Sequence, residues 1–416
     1  MTICIIGLGY VGLPLAMAFS KVEKKVIGYD ISSKRVLDLQ KSFDKNREFS
    51  KQELEKIQNI IFTNKKTTIV NADIYIITVP TPINKDKTPN LNPLLNASKT
   101  VAKSLSFGNI VVYESTVYPG CTEEKCIPIL EKISGLKINQ GFFCGYSPER
   151  INPGDKTRKL TDIVKVTSGS NRKIALKIDK LYKKIIKAGT YLAPSIKVAE
   201  ASKIIENVQR DVNISLMNEL AIIFNKIKLD TSEVLKASST KWNFLDFKPG
   251  LVGGHCIGID PYYLAYKSKQ VGYTPNVILS GRKVNNKMAK HIADKIQELI
   301  LNIDLSPNKC KALILGITFK ENCSDIRNSR IVNLYKELKK KKIGVDVYDP
   351  YAIKYEVYKN FKIKLLDKIN SKYEVIILAV AHKKFLKLNL QNFKKINGII
   401  YDVKSVLHKN IISARL

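Results

Sequence analysis

The stretch TICIIGLGYVGLPLA, residues 2–16, decides the fold of this chain. It is an apolar run that ends in three spaced glycines, Gly7, Gly9 and Gly12, and continues as an apolar helical pattern. The first glycine permits a tight turn, the second lets the backbone approach a pyrophosphate, and the third lets helix and strand pack closely. The N-terminus of the following helix faces the anion. The sequence therefore predicts a strand–loop–helix unit that binds a dinucleotide.

An acidic residue at the end of the next apolar run specifies which dinucleotide. VIGYD ends in Asp30, 23 residues after Gly7, where a carboxylate accepts hydrogen bonds from ribose hydroxyls and favours NAD over NADP. Arg35 lies nearby in sequence and leaves the alternative of a contact with a 2′-phosphate. The cofactor contacts predicted in this part of the chain are Gly7, Gly9, Tyr10, Val11, Gly12, Asp30 and Arg35.

Two further apolar runs, ADIYIITVP and NIVVYEST, end in polar residues. Ligands of doubly wound sheets bind at the carboxyl ends of the strands. We therefore expect Thr81 and Thr116 to donate hydrogen bonds to the cofactor. The alternative for each is a threonine that only forms a turn.

Length and composition describe a chain with more than one core. The 416 residues are 44% hydrophobic and 26% charged, which predicts two or three globular domains. No run of 18 apolar residues occurs, and the N-terminus lacks a basic flank and a cleavage site, so a cytoplasmic protein is expected. Seven cysteines without a CxxC pair predict reduced thiols and no metal site.

The net charge of +33 raises the question of a polyanionic partner. The lysines, however, are spread along the whole length, and neither an aromatic RNA-binding motif nor zinc-finger spacing occurs. We therefore expect solvated basic faces and an anionic small substrate. Nucleic-acid binding is retained as an alternative.

The apolar pattern repeats itself in the last quarter of the chain. KALILGITFK, KKIGVDVYDPY, YEVIILAVAH and NGIIYDVKS follow the same order as the N-terminal strands, and a run without Pro or Gly over 196–229 predicts one long helix. The predicted fold is α/β, with two Rossmann-like doubly wound domains joined by a long central helix and a helical middle domain. The predicted boundaries are 1–195 for NAD binding, 196–304 for the helical domain and 305–416 for the second Rossmann-like domain.

A cysteine lies in a glycine-rich loop, VGGHCIGIDPYY at 252–263. We expect the glycines to leave Cys256 open to a substrate and to offer backbone N–H groups to an oxyanion. Asp260 follows closely, and Lys203, Asn207 and Arg210 share one face of the long helix, where Lys and Asn can stabilise an alkoxide. The alternative for this helix is an ordinary polar face.

A nicotinamide cofactor together with a nucleophilic cysteine suggests oxidation through a covalent intermediate. An aldehyde gives up hydride once a thiolate has added to form a thiohemiacetal, and the resulting thioester is hydrolysed to a carboxylate. In SPERINPG, Glu149 and Arg150 are candidates for an acid–base group and an anion contact, or for a surface ion pair of little consequence.

Five stretches together resemble the nucleotide-sugar 6-dehydrogenases of the UDP-glucose/GDP-mannose dehydrogenase superfamily. They are GLGYVGLPLA, SPERINPG, KIIENVQRDVNISLMNELAI, STKWNFLDFKPGLVGGHCIGIDPYYL and GITFKENCSDIRNSR. The motifs QRDVN and HCIGIDPYYL resemble those of the bacterial UDP-N-acetylhexosamine branch, which serves capsule and O-antigen synthesis. The resemblance covers nearly the whole chain.

The resemblance implies a four-electron oxidation of a sugar CH₂OH to a carboxylate with two NAD⁺ and no metal. Cys256 matches the covalent nucleophile; Lys203, Asn207 and Asp260 match residues that assist proton transfer and stabilise the oxyanion; Thr116 and Glu149 match those that hold or activate water. The C-terminal domain is expected to bind UDP.

The remaining matches concern the two ligands and the dimer. Lys320 matches a UDP-sugar contact, and Arg327 a residue near the nicotinamide. Arg282 resembles a phosphate contact donated by the neighbouring subunit of a homodimer. Lys404 stands where some relatives carry Arg, which leaves its substrate contact open. The expected substrate-binding residues are Glu149, Arg150, Lys203, Asn207, Arg210, Gly253, Arg282, Lys320 and Lys404.

Three other functions remain as alternatives. A UDP-glucose 6-dehydrogenase differs only in the sugar. A single-step NAD-dependent hydroxyacid dehydrogenase needs no cysteine. Replacement of Cys256 by Ser therefore distinguishes it from a nucleotide-sugar 6-dehydrogenase, which loses completed turnover. The third alternative is a nucleic-acid-binding protein, whose affinity for nucleic acid is expected to fall steeply with salt concentration.

Overall fold

The computed structural model describes residues 1–46, 48–151, 159–254 and 257–416. The chain forms two compact units, Met1–Glu206 with Tyr262–Tyr273, and Asn207–Pro261 with Thr274–Leu416. The three domain boundaries expected from the sequence stay a prediction. No helix among the described residues combines the length and the apolar character that a bilayer crossing requires.

The elements alternate between strand and helix in both units. The strands are β1 (Thr2–Ile6), β2 (Lys25–Tyr29), β3 (Ile60–Thr63), β4 (Ile74–Ile77), β5 (Ile110–Tyr113), β6 (Phe143–Tyr146), β7 (Lys165–Gly169), β8 (Thr190–Leu192), β9 (Lys311–Leu315), β10 (Gly344–Tyr348), β11 (Tyr373–Leu378), β12 (Lys394–Asp402) and β13 (Ala414–Arg415). The helices are α1 (Gly12–Phe19), α2 (Ser33–Gln40), α3 (Lys51–Glu55), α4 (Asn92–Ala102), α5 (Ile127–Ser134), α6 (Arg172–Lys183), α7 (Ile196–Lys226), α8 (Thr231–Ser238), α9 (Asp260–Gln270), α10 (Asn276–Leu301), α11 (Ile331–Lys340), α12 (Lys354–Phe361) and α13 (Lys383–Leu386).

The first unit carries a sheet in the order β3-β2-β1-β4-β5-β6-β7-β8. All its neighbouring strands run parallel except β6 and β7. Every residue of β4 and β5 is buried, as expected where helices cover both faces of a parallel sheet. The second unit has a parallel sheet in the order β10-β9-β11-β12-β13. The predicted fold class, two Rossmann-like domains with a helical middle region, is confirmed.

The internal repeat appears as the same turn after the first strand of each sheet. Gly7 and Gly316 both have a positive φ, 97° and 96°. The N–H of Gly7 donates to the carbonyl of Tyr29 at 2.8 Å, and that of Gly316 to the carbonyl of Tyr348 at 2.9 Å. Both halves therefore need a glycine at this point, because its φ is strained for any residue with a Cβ.

The long helix predicted over 196–229 is α7, which ends three residues earlier than expected. Lys228 adopts a φ of 60°, and the N–H of Leu229 donates to the carbonyl of Phe224 at 2.8 Å. This is the bonding of a Schellman C-cap, which a lysine forms here in place of the usual glycine. The apolar periodicity continues past this cap, so it could not mark the end.

Candidate active site

The glycine loop of the first unit has the shape that a pyrophosphate requires. A Cβ added to Gly12 would lie 1.8 Å from the carbonyl oxygen of Gly7, so α1 starts directly against the turn. A Cβ added to Gly9 would meet no described atom within 4 Å, which leaves this backbone open to a ligand. Tyr10 and Val11 complete the turn, and both are half-buried. The residues present therefore fit the phosphates of a dinucleotide beside the N-terminus of a helix.

Asp30 follows β2 and braces the same loop. Its carboxylate accepts hydrogen bonds from the N–H of Leu8 and of Ser32, both at 2.8 Å. The side chain remains partly exposed, so lone pairs are available to a ribose. An acidic group at this position fits a cofactor with free ribose hydroxyls, as NAD has.

Arg35 supports the loop from the protein side. Its Nε donates to the carbonyl oxygen of Leu8 at 2.8 Å, and its Nη1 pairs with Asp44 at 2.7 Å. The carboxylate of Asp44 is wholly buried and also accepts three backbone N–H groups, from residues 46, 48 and 49. These bonds hold the guanidinium within the protein, which disfavours the 2′-phosphate alternative. A direct contact between Arg35 and the cofactor stays a prediction.

The two threonines at the strand ends lie together. Thr81 donates its hydroxyl to the carbonyl oxygen of Thr116 at 2.6 Å. Tyr263 in turn donates to the carbonyl of Thr81 at 2.8 Å. The structure thus brings the loops after β4 and β5 together at the carboxyl edge of the sheet, where the sequence placed them. The Thr81 hydroxyl proton is committed to protein, whereas that of Thr116 has no donor bond among the described residues.

Glu149 lies in a buried group of charged side chains behind these loops. One of its oxygens, Oε1, accepts from the N–H of Ile151, and the other, Oε2, lies 3.9 Å from the Nζ of Lys165. Its neighbour Arg150 pairs with Glu206 at 2.8 Å and donates to the carbonyl of Val164. Arg150 therefore forms the ion pair that was the alternative reading, and its anion contact stays a prediction.

The polar residues of α7 differ in burial. Lys203 and Asn207 are buried, whereas Arg210 is exposed. The Nδ2 of Asn207 donates to Asp260 at the start of α9, a bond of 2.5 Å between two buried side chains. The sequence expected these two residues to act together, and the structure places them in direct contact. An amide held in this way can be oriented toward a developing oxyanion.

The two glycines before the cysteine are closely packed by other residues. A Cβ on Gly253 would lie 2.9 Å from the carbonyl oxygen of Asn328, and one on Gly254 would lie 2.8 Å from the ring of Phe319. Gly254 also has a φ of 85°. The glycines are therefore required by close packing within the second unit, and the expectation that Cys256 is open to a substrate stays a prediction. Cys256 and His255 lie outside the described residues.

Arg282 is buried within its own chain. It is 2% exposed, and its Nη1 pairs with the carboxylate of Asp211. Its Nη2 donates to Asn286 at 3.0 Å. The pKa of Asp211 is raised by burial, although Arg282 opposes the shift. The structure describes an intrachain ion pair, and a contact of Arg282 with a neighbouring subunit stays a prediction.

The predicted nucleotide contacts of the second unit lie on the loops after β9 and β12. Lys320 has its ammonium 5.6 Å from the ring centroid of Phe319. Lys404 pairs with Glu321 at 3.0 Å, which joins the two loops. Arg327 forms a bidentate ion pair with Asp325, two residues before it, and is about half exposed. These positions leave the predicted roles of all three residues open.

The sequence reasoning missed three residues that organise loops, two in the second unit and one, Lys165, in the first. His382 is fully buried, accepts from the N–H of Asn322 at 2.8 Å through Nδ1, and lies 3.2 Å from Asp349 through Nε2. Arg330 donates to the carbonyl of Val252 and to Asn286. Lys165 is buried at the start of β7. The signal for Lys165 was a lysine in the otherwise apolar strand pattern IVKV.

Comparison with known proteins gives a match along most of the chain. Residues 1–186, 197–287 and 313–409 match the NAD binding, central and UDP binding domains of the UDP-glucose/GDP-mannose dehydrogenase family. UDP-N-acetyl-D-glucosamine 6-dehydrogenase of Salmonella typhi is 51% identical over 100% of this chain and 98% of that protein. Protein CapL of Staphylococcus aureus is 49% identical over 98% and 96%. The solved UDP-D-ManNAc dehydrogenase of Pyrococcus horikoshii has a TM-score of 0.90 at 28% identity, covering 100% of this chain and 98% of that one.

Proposed function

Because the chain belongs to the UDP-glucose/GDP-mannose dehydrogenase family, we propose that it oxidises C6 of a UDP-N-acetylhexosamine to the uronate, with UDP-N-acetyl-D-glucosamine as the preferred substrate. The chain is an NAD-dependent nucleotide-sugar dehydrogenase. The observation that carries the choice of sugar is the similarity to the Salmonella typhi enzyme along the full length of both proteins. UDP-N-acetylgalactosamine is the second candidate, and UDP-glucose is the alternative.

The proposed reaction needs a covalent stage because it removes four electrons from one carbon. NAD⁺, when bound, accepts a hydride, and two molecules are consumed in succession. The thiolate of Cys256 adds to the aldehyde carbon formed by the first oxidation, which creates a C–S bond and an alkoxide. Lys203 and Asn207 are the groups proposed to stabilise that alkoxide, and their burial supports the assignment because charge is stabilised best where water is excluded.

Loss of a hydride from that alkoxide, the second of the two hydrides removed, leaves a thioester, and hydrolysis of the thioester completes the proposed reaction. Water adds to the thioester carbonyl, Glu149 takes its proton, and the C–S bond breaks so that Cys256 leaves as thiolate. Two features support Glu149 and Thr116 in this role. The Oε2 of Glu149 is buried without a hydrogen-bond partner in the described residues, and Thr116 lies at the carboxyl edge of the sheet. A buried oxygen without a partner fits an ordered water.

The long helix supports the proposed homodimer. Leu216 and Ile223 are 49% and 46% exposed on α7 and lie seven residues apart on one face. Ile227, directly after the helix, is 58% exposed. A second copy of the chain would cover this apolar stripe. We expect the wild-type protein to elute as a dimer and Ile223→Glu to shift it toward the monomer. A monomeric wild type at micromolar concentration would contradict this part of the proposal.

The product and location follow from the same proposal. We propose that the uronate serves surface polysaccharide synthesis of the capsule or O-antigen type, as the resemblance of the sequence implies. A cytoplasmic location stays a prediction.

The test offers UDP-N-acetylglucosamine, UDP-N-acetylgalactosamine and UDP-glucose separately with NAD⁺, and measures NADH per sugar consumed together with the product mass. We expect UDP-N-acetylglucosamine to give the highest kcat/KM, the uronate, and two NADH per sugar. Cys256→Ser is expected to lose completed turnover. Release of free aldehyde by the wild type, or undiminished uronate formation by Cys256→Ser, would show that the proposal is wrong.

A further inference from the structure

Lys165 links three segments of the first unit from a buried position. Its side chain is 3% exposed, and its ammonium lies 2.6 Å from Oε2 of Glu114. It also donates to the carbonyl oxygens of Ser147 at 3.5 Å and Pro148 at 3.1 Å. These carbonyls immediately precede Glu149. Lys165 therefore fixes the start of the loop at residues 147–150 (SPER) to the end of β5.

The ammonium of Lys165 lies close to two carboxylates, those of Glu114 and Glu149. Glu114 is 1% exposed and also accepts the hydroxyl of Tyr182, so both of its oxygens are bonded within the protein. Glu149 is 9% exposed, with one oxygen bonded to a backbone N–H and the other, Oε2, without a hydrogen bond among the described residues. The pKa of Glu114 is raised by burial, with Lys165 opposing the shift and Glu149 adding to it.

A buried lysine of this kind is a poor way to gain stability. Removing an ammonium and a carboxylate from water costs free energy that their attraction often fails to repay, and apolar side chains of similar volume do as well. Glu114 accounts for one partner of Lys165, but the two loop carbonyls and the nearby Glu149 go beyond a simple ion pair. The contacts instead suit a group that fixes the position and charge of Glu149.

We propose that Lys165 is a positioning residue that holds Glu149 for attack of water on the thioester, with Glu114 as its counter-ion. This inference rests on the proposed role of Glu149. Within the part of the chain that the structure describes, the charged or titratable groups facing Glu149 are Lys165 from β7, Glu114 from the end of β5, and Tyr182 from α6. The adjacent Arg150 is paired with Glu206 of α7.

Removing the charge of Lys165 and removing that of Glu114 are expected to have opposite effects on the pH dependence. A nearby ammonium favours the ionised form of a carboxylate, and a nearby carboxylate disfavours it. The acidic limb of the pH profile for steady-state uronate formation is therefore expected to move about one pH unit upward in Lys165→Met and downward in Glu114→Gln. A merely structural role would move neither limb in a defined direction.

The experiment uses the full-length enzyme with UDP-N-acetylglucosamine and NAD⁺. In Lys165→Met, rapid mixing is expected to show wild-type formation of the first NADH, while steady-state turnover falls on the order of tenfold or more. Intact mass measurement of quenched enzyme is expected to show accumulated covalent adduct. Lys165→Arg keeps the charge and is expected to recover part of the turnover.

The chain offers a matched control in Lys184, whose ammonium lies 2.6 Å from the buried Glu23 of the same unit. Lys184→Met removes an ion pair of the same length, in which the lysine is 44% exposed, and is expected to leave both kinetic phases and the pH profile unchanged. If Lys165→Met fails to fold, Glu114→Gln and the double variant Lys165→Met/Glu114→Gln provide the test, because the double variant removes both members of the Lys165–Glu114 ion pair together.

Two outcomes would overturn the inference. One is a pH profile of Lys165→Met or Glu114→Gln that coincides with the wild type; the other is an equal loss of both kinetic phases in Lys165→Met. Failure of the proposed function is distinct, because it appears in the wild type as free aldehyde or as one NADH per sugar.

Discussion

The side-chain amide of Asn207 donates a 2.5 Å hydrogen bond to the carboxylate of Asp260, and both side chains are buried. The contact joins residues 53 positions apart in the sequence. It fixes the direction of the amide, because Asn207 can use one N–H for the carboxylate and keeps its other N–H and its oxygen for further partners.

Replacement of Asp260 by Asn is therefore expected to lower kcat on the order of tenfold with little change in folding, since the amide keeps the shape and loses the charge. Asp260→Ala should in addition destabilise the protein by about 1–3 kcal/mol, because it leaves a buried amide unpaired. Steady-state NADH formation and chemical denaturation separate the two effects. Unchanged kcat in Asp260→Asn would show that the charge has no role in turnover.

Gly254→Ala is expected to destabilise the second unit. The φ of 85° alone costs about 1–2 kcal/mol for a residue with a Cβ, and the new Cβ would approach the ring of Phe319 to 2.8 Å. Adding Phe319→Leu should relieve the close approach to the ring, whereas the cost of the positive φ should remain. Gly250→Ala is the control, since no described atom lies within 4 Å of its Cβ position. Equal denaturation midpoints for the two alanine variants would contradict the packing argument.

Arg35→Ala is expected to raise the KM for NAD⁺ about tenfold, which corresponds to about 1.4 kcal/mol. The variant loses the bonds that hold the glycine loop through the carbonyl of Leu8 and the carboxylate of Asp44. Asp44→Asn should act in the same direction, and the double variant should cost less than the sum because the two residues form one network. The exposed neighbour Lys34 supplies the control, Lys34→Ala. Additive effects would place the two residues in separate roles.

His382→Ala is expected to raise the KM for the UDP-sugar about tenfold while kcat changes little. Because Nδ1 accepts from the N–H of Asn322, the neutral ring carries its proton on Nε2, beside Asp349 and Thr318. The ring thereby fixes the segment that carries Lys320. His408→Ala, at an exposed histidine, is the control. A fall in kcat without a change in KM would assign His382 to a different step.

The buried carboxyl group of Glu200 is expected to make the free energy of unfolding depend on pH. It is buried and accepts the N–H groups of Gly120 and Thr122, and burial raises its pKa from 4.5 to about 7. The folded state therefore binds more protons than the unfolded state between these values, so stability falls as the pH rises from about 4.5 to 7, on the order of 2 kcal/mol. The thermal midpoint should show this slope in the wild type and lose it in Glu200→Gln. An identical slope in both proteins would contradict the assignment.

The sequence by itself determined the two Rossmann-like halves and the glycine turns. Gly7 and Asp30 could be assigned from the sequence because strand period, turn chemistry and helix start are local properties that one short window contains. The internal repeat was visible for the same reason, since Gly316 and Asp349 repeat that local pattern. The resemblance to a family added the candidate roles of Lys320, Arg327 and Arg282.

Tertiary structure alone decided which side chains meet. The ring of Phe319 over Gly254, the ammonium of Lys165 between Glu114 and Glu149, and the buried pair of Arg282 and Asp211 join residues far apart along the chain. No periodicity carries such information, because the partner of a buried charge is chosen by the packing of whole elements. Burial then sets the energetic importance of each charge, since the same ion pair is nearly neutral at a solvated surface.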